Sequence, residues 1–186
     1  MGENKQLISI LAENLDKAQI EYMIIGGQAV LVYGEPRLTK DIDVTVGVDP
    51  LEKEKIIDLA KSMKLTLLVK NPQEFIDETF VLPCESKEFK FRVDFIFSNS
   101  EFEKGAFKRV KEIQIDGYKV KFASVEDLII HKIIAGRPRD IEDVKSIILK
   151  NKKIDMDYID NALKTFEALL SLDFHSVLKD ILLNNK

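Results

Sequence analysis

Tyr22-Met-Ile-Ile25-Gly26-Gly27-Gln28-Ala-Val-Leu-Val-Tyr33 is followed, three residues after Gly34, by Arg37-Leu-Thr39-Lys-Asp41-Ile-Asp43-Val-Thr45-Val46. A short apolar run, a glycine pair and an apolar stretch of helical composition that stops at Gly34 predict strand, glycine turn and helix. Pro36 disfavours helix at Glu35, so 35–37 is a loop, and Lys40 to Val46 then alternates as a strand and closes a sequential β-α-β unit. Alternation turns Asp41, Asp43 and Thr45 to one face and Ile42, Val44 and Val46 to the other. One face belongs to a core and the other to a site.

Outward from this unit, Leu7, Ile8, Ile10, Leu11, Leu15 and Ala18 recur at helical spacing and predict an amphipathic helix over 4–19. Pro50 opens a second covering helix over 50–63. Leu65–Val69 and Phe80–Leu82 read as short strands around an irregular stretch, 71–79. Phe89–Phe97 alternates strongly, with Phe91, Val93, Phe95 and Phe97 on one face and Arg92 and Asp94 on the other. Asp116-Gly117 suits a type I′ turn joining strands 112–115 and 118–122. From Ser124, a capping residue with Asp127 three positions on, the pattern is helical over 124–135, 139–150, 156–170 and 174–183. The fold class expected is α+β: a mixed β-sheet core flanked by helices over 1–123, with a C-terminal helical region, 124–186, packed on it.

The chain has 186 residues, 45% hydrophobic and 32% charged, which supports a packed core and argues against disorder. A net charge of -4 gives no overall basic footprint of the kind tight non-specific nucleic-acid binding requires, although a local patch is still compatible with it. Cys84 is the one cysteine, so no intramolecular disulfide forms. The opening residues lack the apolar core of a signal peptide, no apolar run approaches bilayer length, and Gly2 lacks the context for myristoylation. The expected location is cytoplasmic, without membrane attachment.

Acids gathered on strand ends need a cation, because two unit charges about 4 Å apart repel by about 4 kcal/mol at an effective dielectric of 20. Mg²⁺ binds through a few carboxylates, water and phosphate oxygens, and a pair of such ions clamps the attacking and leaving oxygens of a phosphoryl centre. Asp41, Asp43 and Asp94 suit that work as catalytic and metal-binding residues, although D-x-D alone also describes a solvated strand face. At Gly26 and Gly27, missing side chains let backbone N–H groups and a helix N-terminus approach a triphosphate, although a tight turn also uses glycine. The pair is neither a dinucleotide fingerprint nor a P-loop, since no Gly-Lys-Ser/Thr follows. Lys132 continues the apolar stripe of Val125, Leu128 and Ile129, where it either snorkels or reaches phosphate charge. Arg37 and Thr39, before the D-x-D, are placed to orient a nucleotide, Arg137 or Arg139 to meet phosphate, and Arg139 alternatively to pair with Asp140. Arg92 is placed to neutralise the acids.

The strings Ile-Ile-Gly-Gly-Gln-Ala-Val, Arg-Leu-Thr-Lys-Asp-Ile-Asp-Val and Val93-Asp94-Phe95 resemble the active-site signature of the DNA polymerase beta-type nucleotidyltransferase superfamily. The segment His131-Lys132 through Arg137-Pro-Arg139-Asp140-Ile-Glu-Asp143 is similar to the abortive-infection type IV toxin branch, whose members are minimal nucleotidyltransferases. The resemblance implies a mixed-sheet nucleotidyltransferase core and Mg²⁺, two ions, as cofactor. It also implies an NTP donor whose nucleoside monophosphate passes to an acceptor hydroxyl on RNA, protein or a small molecule, with release of pyrophosphate. For the toxin branch it implies a small antitoxin-like partner. Many members carry Gly-Ser where this chain has Gly26-Gly27, so only backbone donors are expected at that point. Two other readings stay open: a non-catalytic binding or regulatory module on the same fold, and an antibiotic adenylyltransferase.

Overall fold

The computed structural model describes residues 2–98 and 100–183, and the ends assigned above to the two parts of the chain, Met1 and 184–186, lie outside them. The elements run α1 (Gly2–Lys17), β1 (Tyr22–Ile25), α2 (Gly26–Tyr33), β2 (Asp41–Val46), α3 (Glu54–Ser62), β3 (Thr66–Leu67), α4 (Pro72–Thr79), β4 (Val81–Ser86), β5 (Phe91–Phe97), α5 (Glu101–Phe107), β6 (Lys111–Ile115), β7 (Tyr118–Phe122), α6 (Val125–Ala135), α7 (Pro138–Lys150), α8 (Met156–Leu170) and α9 (Phe174–Leu183). The fold is α+β, with one mixed sheet, as its sequence predicts. Two compact units divide the chain: residues 1–28 with 39–123, and residues 29–38 with 124–186.

The first unit is the sheet and its helices. Its seven strands are ordered β3-β4-β5-β2-β1-β7-β6. The central pair β2 and β5 is parallel and in register, so Asp41 faces Arg92 and Asp43 faces Asp94 across neighbouring strands. β1 pairs with β7 in parallel and with β2 antiparallel, bringing Ile25 beside Asp43. The antiparallel return from β1 to β2 departs from the parallel pairing that a β-α-β reading suggests. An eight-residue helix rises about 12 Å and the six extended residues 35–40 span about 20 Å, so the chain can come back to the strand end it left. β2 therefore begins where β1 stops.

Alternation fixes which side of this sheet is dry. Ile42, Val44, Val46, Val93 and Phe95 are fully buried and Phe97 nearly so. The opposite face is open only at one end: Asp41 is exposed and Asp43 and Asp94 are partly buried, but Thr45, two residues on, is 1% exposed. Helix α5 explains that closure, because Ala106 and Phe107 pack with Met23 and Ala123, and Met23 is the register partner of Thr45. Helix α1 is tied to the β6–β7 hairpin by Ser9 Oγ donating to the Ile115 carbonyl at 2.7 Å and by Asp16 accepting from Tyr118 (3.0 Å) and Lys121 (2.6 Å). The hairpin turn has Asp116 and Gly117 at φ 48° and 82°, the left-handed pair that its sequence demands.

Two elements escape the apolar periodicity. Helix α4 occupies the stretch read as irregular: Pro72 starts it, and Ile76 alone is buried. Helix α5 starts with a capping box in which Ser100 Oγ accepts from the Glu103 amide and the Glu103 carboxylate accepts from the Ser100 amide.

The second unit is helical. α6 is capped by Ser124, whose hydroxyl accepts from the Asp127 amide, and it stops at Gly136 in the left-handed conformation. Asp127 is fully buried and accepts from the Tyr158 hydroxyl of α8 at 2.8 Å. α9 is tied to α8 through His175, whose ring nitrogens lie 2.7 Å from Asp160 and 2.8 Å from Glu167. Among the described residues no helix is long and apolar enough to cross a membrane.

Candidate functional site

The end of the sheet where β1 stops and β2 and β5 start collects the chemistry of the first unit. Asp43 and Asp94 are register partners, and Asp41 lies one pleat nearer the strand ends on the same face. Arg92 joins them: its Nε lies 2.8 Å from Asp94 Oδ1 while half its side chain stays in solvent. The hydrogen bond to Asp94, together with the charges of Asp94, Asp41 and Asp43, raises the arginine's already high pKa. One guanidinium thus sits in the field of all three carboxylates, as a neutralising cation would. Three aspartates meet one arginine on neighbouring strands, with Glu85 of β4 the register partner of that arginine.

The backbone beside these acids is shaped by glycine. Gly26, directly after β1, has φ +61°, and a Cβ on it would fall 1.8 Å from Asp43 Oδ2. A Cβ on Gly27 would fall 2.5 Å from Thr39 Oγ1. Both glycines open α2, and the space their missing side chains leave is filled by the Asp43 carboxylate and the Thr39 side chain. The sequence reading placed the pair in a turn ahead of a helix; in the structure they are the first turn of that helix. Gln28 follows, 3% exposed, and donates to the Asp41 carbonyl at 3.3 Å, tying the helix start to the strand start. Sequence reasoning passed over Gln28, although one amide in an otherwise apolar segment signals a buried hydrogen bond.

Among the described residues no group of three or more His, Cys, Asp or Glu side chains stands ready to hold a metal ion. The donor set here is nevertheless all oxygen, as hard divalent cations require. Cys84, on β4, contributes nothing: it is fully buried, and burial first and the Asp94 charge second push its thiol up to about 12.

The remaining expected residues belong to the second unit. Lys132 is buried, its ammonium 2.6 Å from Asp140 and 2.8 Å from Asp143. Arg37 meets Asp143 in a two-pronged contact, Nε to Oδ1 and Nη2 to Oδ2, each 2.9 Å. Burial pushes the Asp143 carboxyl up, but the hydrogen bonds from Arg37 and Lys132 outweigh it and hold the group below the usual carboxylate range. The sequence expectation put Arg37 and Lys132 on a nucleotide; in this structure both charges are engaged by Asp140 and Asp143. Lys132 also does not snorkel. Arg139 is exposed on the first turn of α7, and Asp140 pairs with Lys132, with Arg137 3.8 Å away.

Residues 4–176 match the sequence model of a family described as nucleotidyltransferase of unknown function (DUF6036). No curated protein matches. Among solved structures the chain is similar to an antigenic nucleotidyltransferase-like protein from Paracoccidioides brasiliensis, at 22% identity and TM-score 0.59, covering 95% of this chain and 92% of that one. It is similar to the antibiotic-resistance factor ANT(2'')-Ia at 15% identity and TM-score 0.64, covering 92% and 97%. A third is a lincomycin-bound lincosamide antibiotic adenylyltransferase, LnuA, at 18% identity and TM-score 0.52, covering 77% and 96%. At these identities the likeness is one of fold.

Proposed function

Since the chain belongs to the DUF6036 family of nucleotidyltransferases, we propose that it transfers a nucleoside monophosphate from an NTP to an acceptor hydroxyl, with Mg²⁺ as cofactor and pyrophosphate as the leaving group. The observation that carries this reading is the register pairing of Asp43 with Asp94 beside a glycine whose missing Cβ leaves room for the Asp43 carboxylate. Asp41, Asp43 and Asp94 would hold the metal, which when bound supplies the positive charge that a phosphoryl centre needs.

The chain's own residues do the rest. The amides opening α2, with the positive end of its dipole, bind phosphate oxygens and fix the nucleotide against the sheet end. Gln28 keeps Asp41 at the height of the helix start through its bond to the Asp41 carbonyl. Arg92 balances the Asp94 charge, and being half exposed it would give way to a metal held by the aspartates. Asp94 would help take the proton of the acceptor hydroxyl. Arg139, exposed at the start of α7, is open to an anion. Arg37 and Lys132 stay paired with Asp143 and Asp140.

The test is label transfer from α-labelled NTPs with RNA, protein and aminoglycosides offered as acceptors. Transfer that needs Mg²⁺ and fails in Asp43→Asn supports the reading. Absence of both nucleotide binding and transfer, with Asp43→Asn behaving as the unaltered protein, overturns it. A second reading, a non-catalytic module on the same fold, is favoured by the Arg92–Asp94 pair, which already neutralises one acid. Calorimetry separates the two, because a module without metal affinity gives no heat with Mg-NTP.

A further inference from the structure

Gly26 and Gly27 are glycines for different reasons. Gly26 needs a left-handed backbone, which a side chain disfavours. Gly27 is not among the positive-φ residues, so its backbone would accept any amino acid. What excludes a side chain there is Thr39, whose Oγ1, Cβ and Cγ2 would lie 2.5, 3.0 and 3.4 Å from a Cβ at position 27. The threonine hydroxyl therefore occupies the volume that a side chain on residue 27 would fill, against the opening turn of α2.

That hydroxyl is poorly used where it stands. Its hydrogen bond to the Asp41 carbonyl is 3.4 Å long, against about 2.8 Å for a good O–H···O contact, so redirecting its proton costs little. Thr39 is only partly buried, and as a β-branched residue it holds its hydroxyl in few rotamers. A rigid, partly exposed hydroxyl against Gly27 in the opening turn of a helix, two residues before Asp41, is placed for a phosphate oxygen.

We propose that Thr39 Oγ1 is the side-chain hydroxyl donor to the nucleotide's phosphates, and that residue 27 is glycine in order to admit it. This rests on the nucleotidyl-transfer reading above and revises the expectation that only backbone donors remain at the glycine pair. A serine at 27 and a threonine at 39 would be alternative sources of one hydroxyl in one place, and the structure has room for only one of them.

The experiment is calorimetry of Mg²⁺ complexes of non-hydrolysable ATP and GTP analogues with the full chain, each variant checked by its thermal melt. Thr39→Val keeps the shape and removes the hydroxyl, and should weaken binding by about 10- to 100-fold, as expected for a hydrogen bond to a charged group. Thr39→Ser should bind within a few-fold of the unaltered protein. The exchange Gly27→Ser with Thr39→Ala moves the hydroxyl across and should recover most of the loss, which a merely structural threonine would not allow. Thr39→Val binding as tightly as the unaltered chain, or an exchange variant that folds yet binds as weakly as Thr39→Val, overturns this proposal and leaves nucleotidyl transfer standing. Failure of the unaltered protein to bind either analogue overturns both.

Discussion

Replacing Gly26 with alanine attacks the site at its narrowest point, and two separable costs follow from the structure. The first is conformational: a residue with a Cβ held at φ +61° costs about 1–2 kcal/mol. The second is steric, since the new Cβ would fall 1.8 Å from Asp43 Oδ2, 2.7 Å from its Cγ and 3.1 Å from its Cβ. No rotation of the carboxylate about its own bond relieves all three, so the Asp43 side chain must swing off its present position. Each kcal/mol moves the melting midpoint of a chain this size by about 2–4 °C, so the backbone part alone predicts a fall of about 2–8 °C. Displacing Asp43 should also weaken Mg-nucleotide binding by more than about tenfold, the effect of about 1.4 kcal/mol. Thermal melting and calorimetry on Gly26→Ala measure both. In an Asp43→Ala background most of the clash is gone, so Gly26→Ala should there cost only the backbone part, and the difference between the two backgrounds isolates the contact. A Gly26→Ala protein that melts and binds as the unaltered chain does would refute the reasoning.

Other consequences are equally direct. Asp143→Asn strands the buried Lys132 and the Arg37 fork with less counter-charge and should cost about 3 kcal/mol in chemical denaturation. Because the folded Asp143 carboxyl lies below its unfolded value, its stabilisation is present above about pH 3.9 and is lost as pH falls through the lower folded value, a dependence that Asp143→Asn should lack. His175 runs the other way: hydrogen bonding to Glu167 chiefly, and to Asp160, raises its pKa against burial, so its contribution is complete below about pH 6.5 and fades as pH rises through the folded value. Corrected for intrinsic rates, hydrogen exchange in α9 should therefore quicken from pH 6 to pH 8.5, and His175→Gln should remove the difference. Cys84 should resist a thiol reagent at pH 8 until the chain unfolds, since it is fully buried and its thiol is pushed up to about 12.

Much of the fold is written in periodicity. β2 and β5 follow directly from alternation, the hairpin from Asp116-Gly117, β1 from its short apolar run, and α9 from a stripe that buries Phe174, Leu178 and Ile181, whereas of the apolar positions in α8 Ile159 and Leu163 are buried and Leu169 and Leu170 are exposed. α4 and α5 bury too few residues to imprint a pattern, two each among the short runs that start at Pro72 and Ser100 if the partly buried Phe75 is counted, and their signals are caps. The antiparallel sense of β1 and β2 is a property of the loop path, which no local pattern records. At the candidate site, Asp43 and Asp94 are legible as strand residues on a polar face, but their register is set by strand pairing. The roles of Arg37 and Lys132 were ambiguous for a physical reason: a cation near a motif looks the same in sequence whether it meets a phosphate or a buried carboxylate. Only the distances to Asp140 and Asp143 distinguish those environments.

The most direct measurement is metal-dependent nucleotide binding: calorimetric titration of an Mg-NTP analogue into the unaltered chain and into Asp43→Asn and Asp94→Asn. The account predicts saturable binding that disappears when EDTA removes the metal and that falls by at least an order of magnitude in either variant. Binding that persists unchanged in EDTA, or that is as tight in both variants as in the unaltered protein, would contradict it.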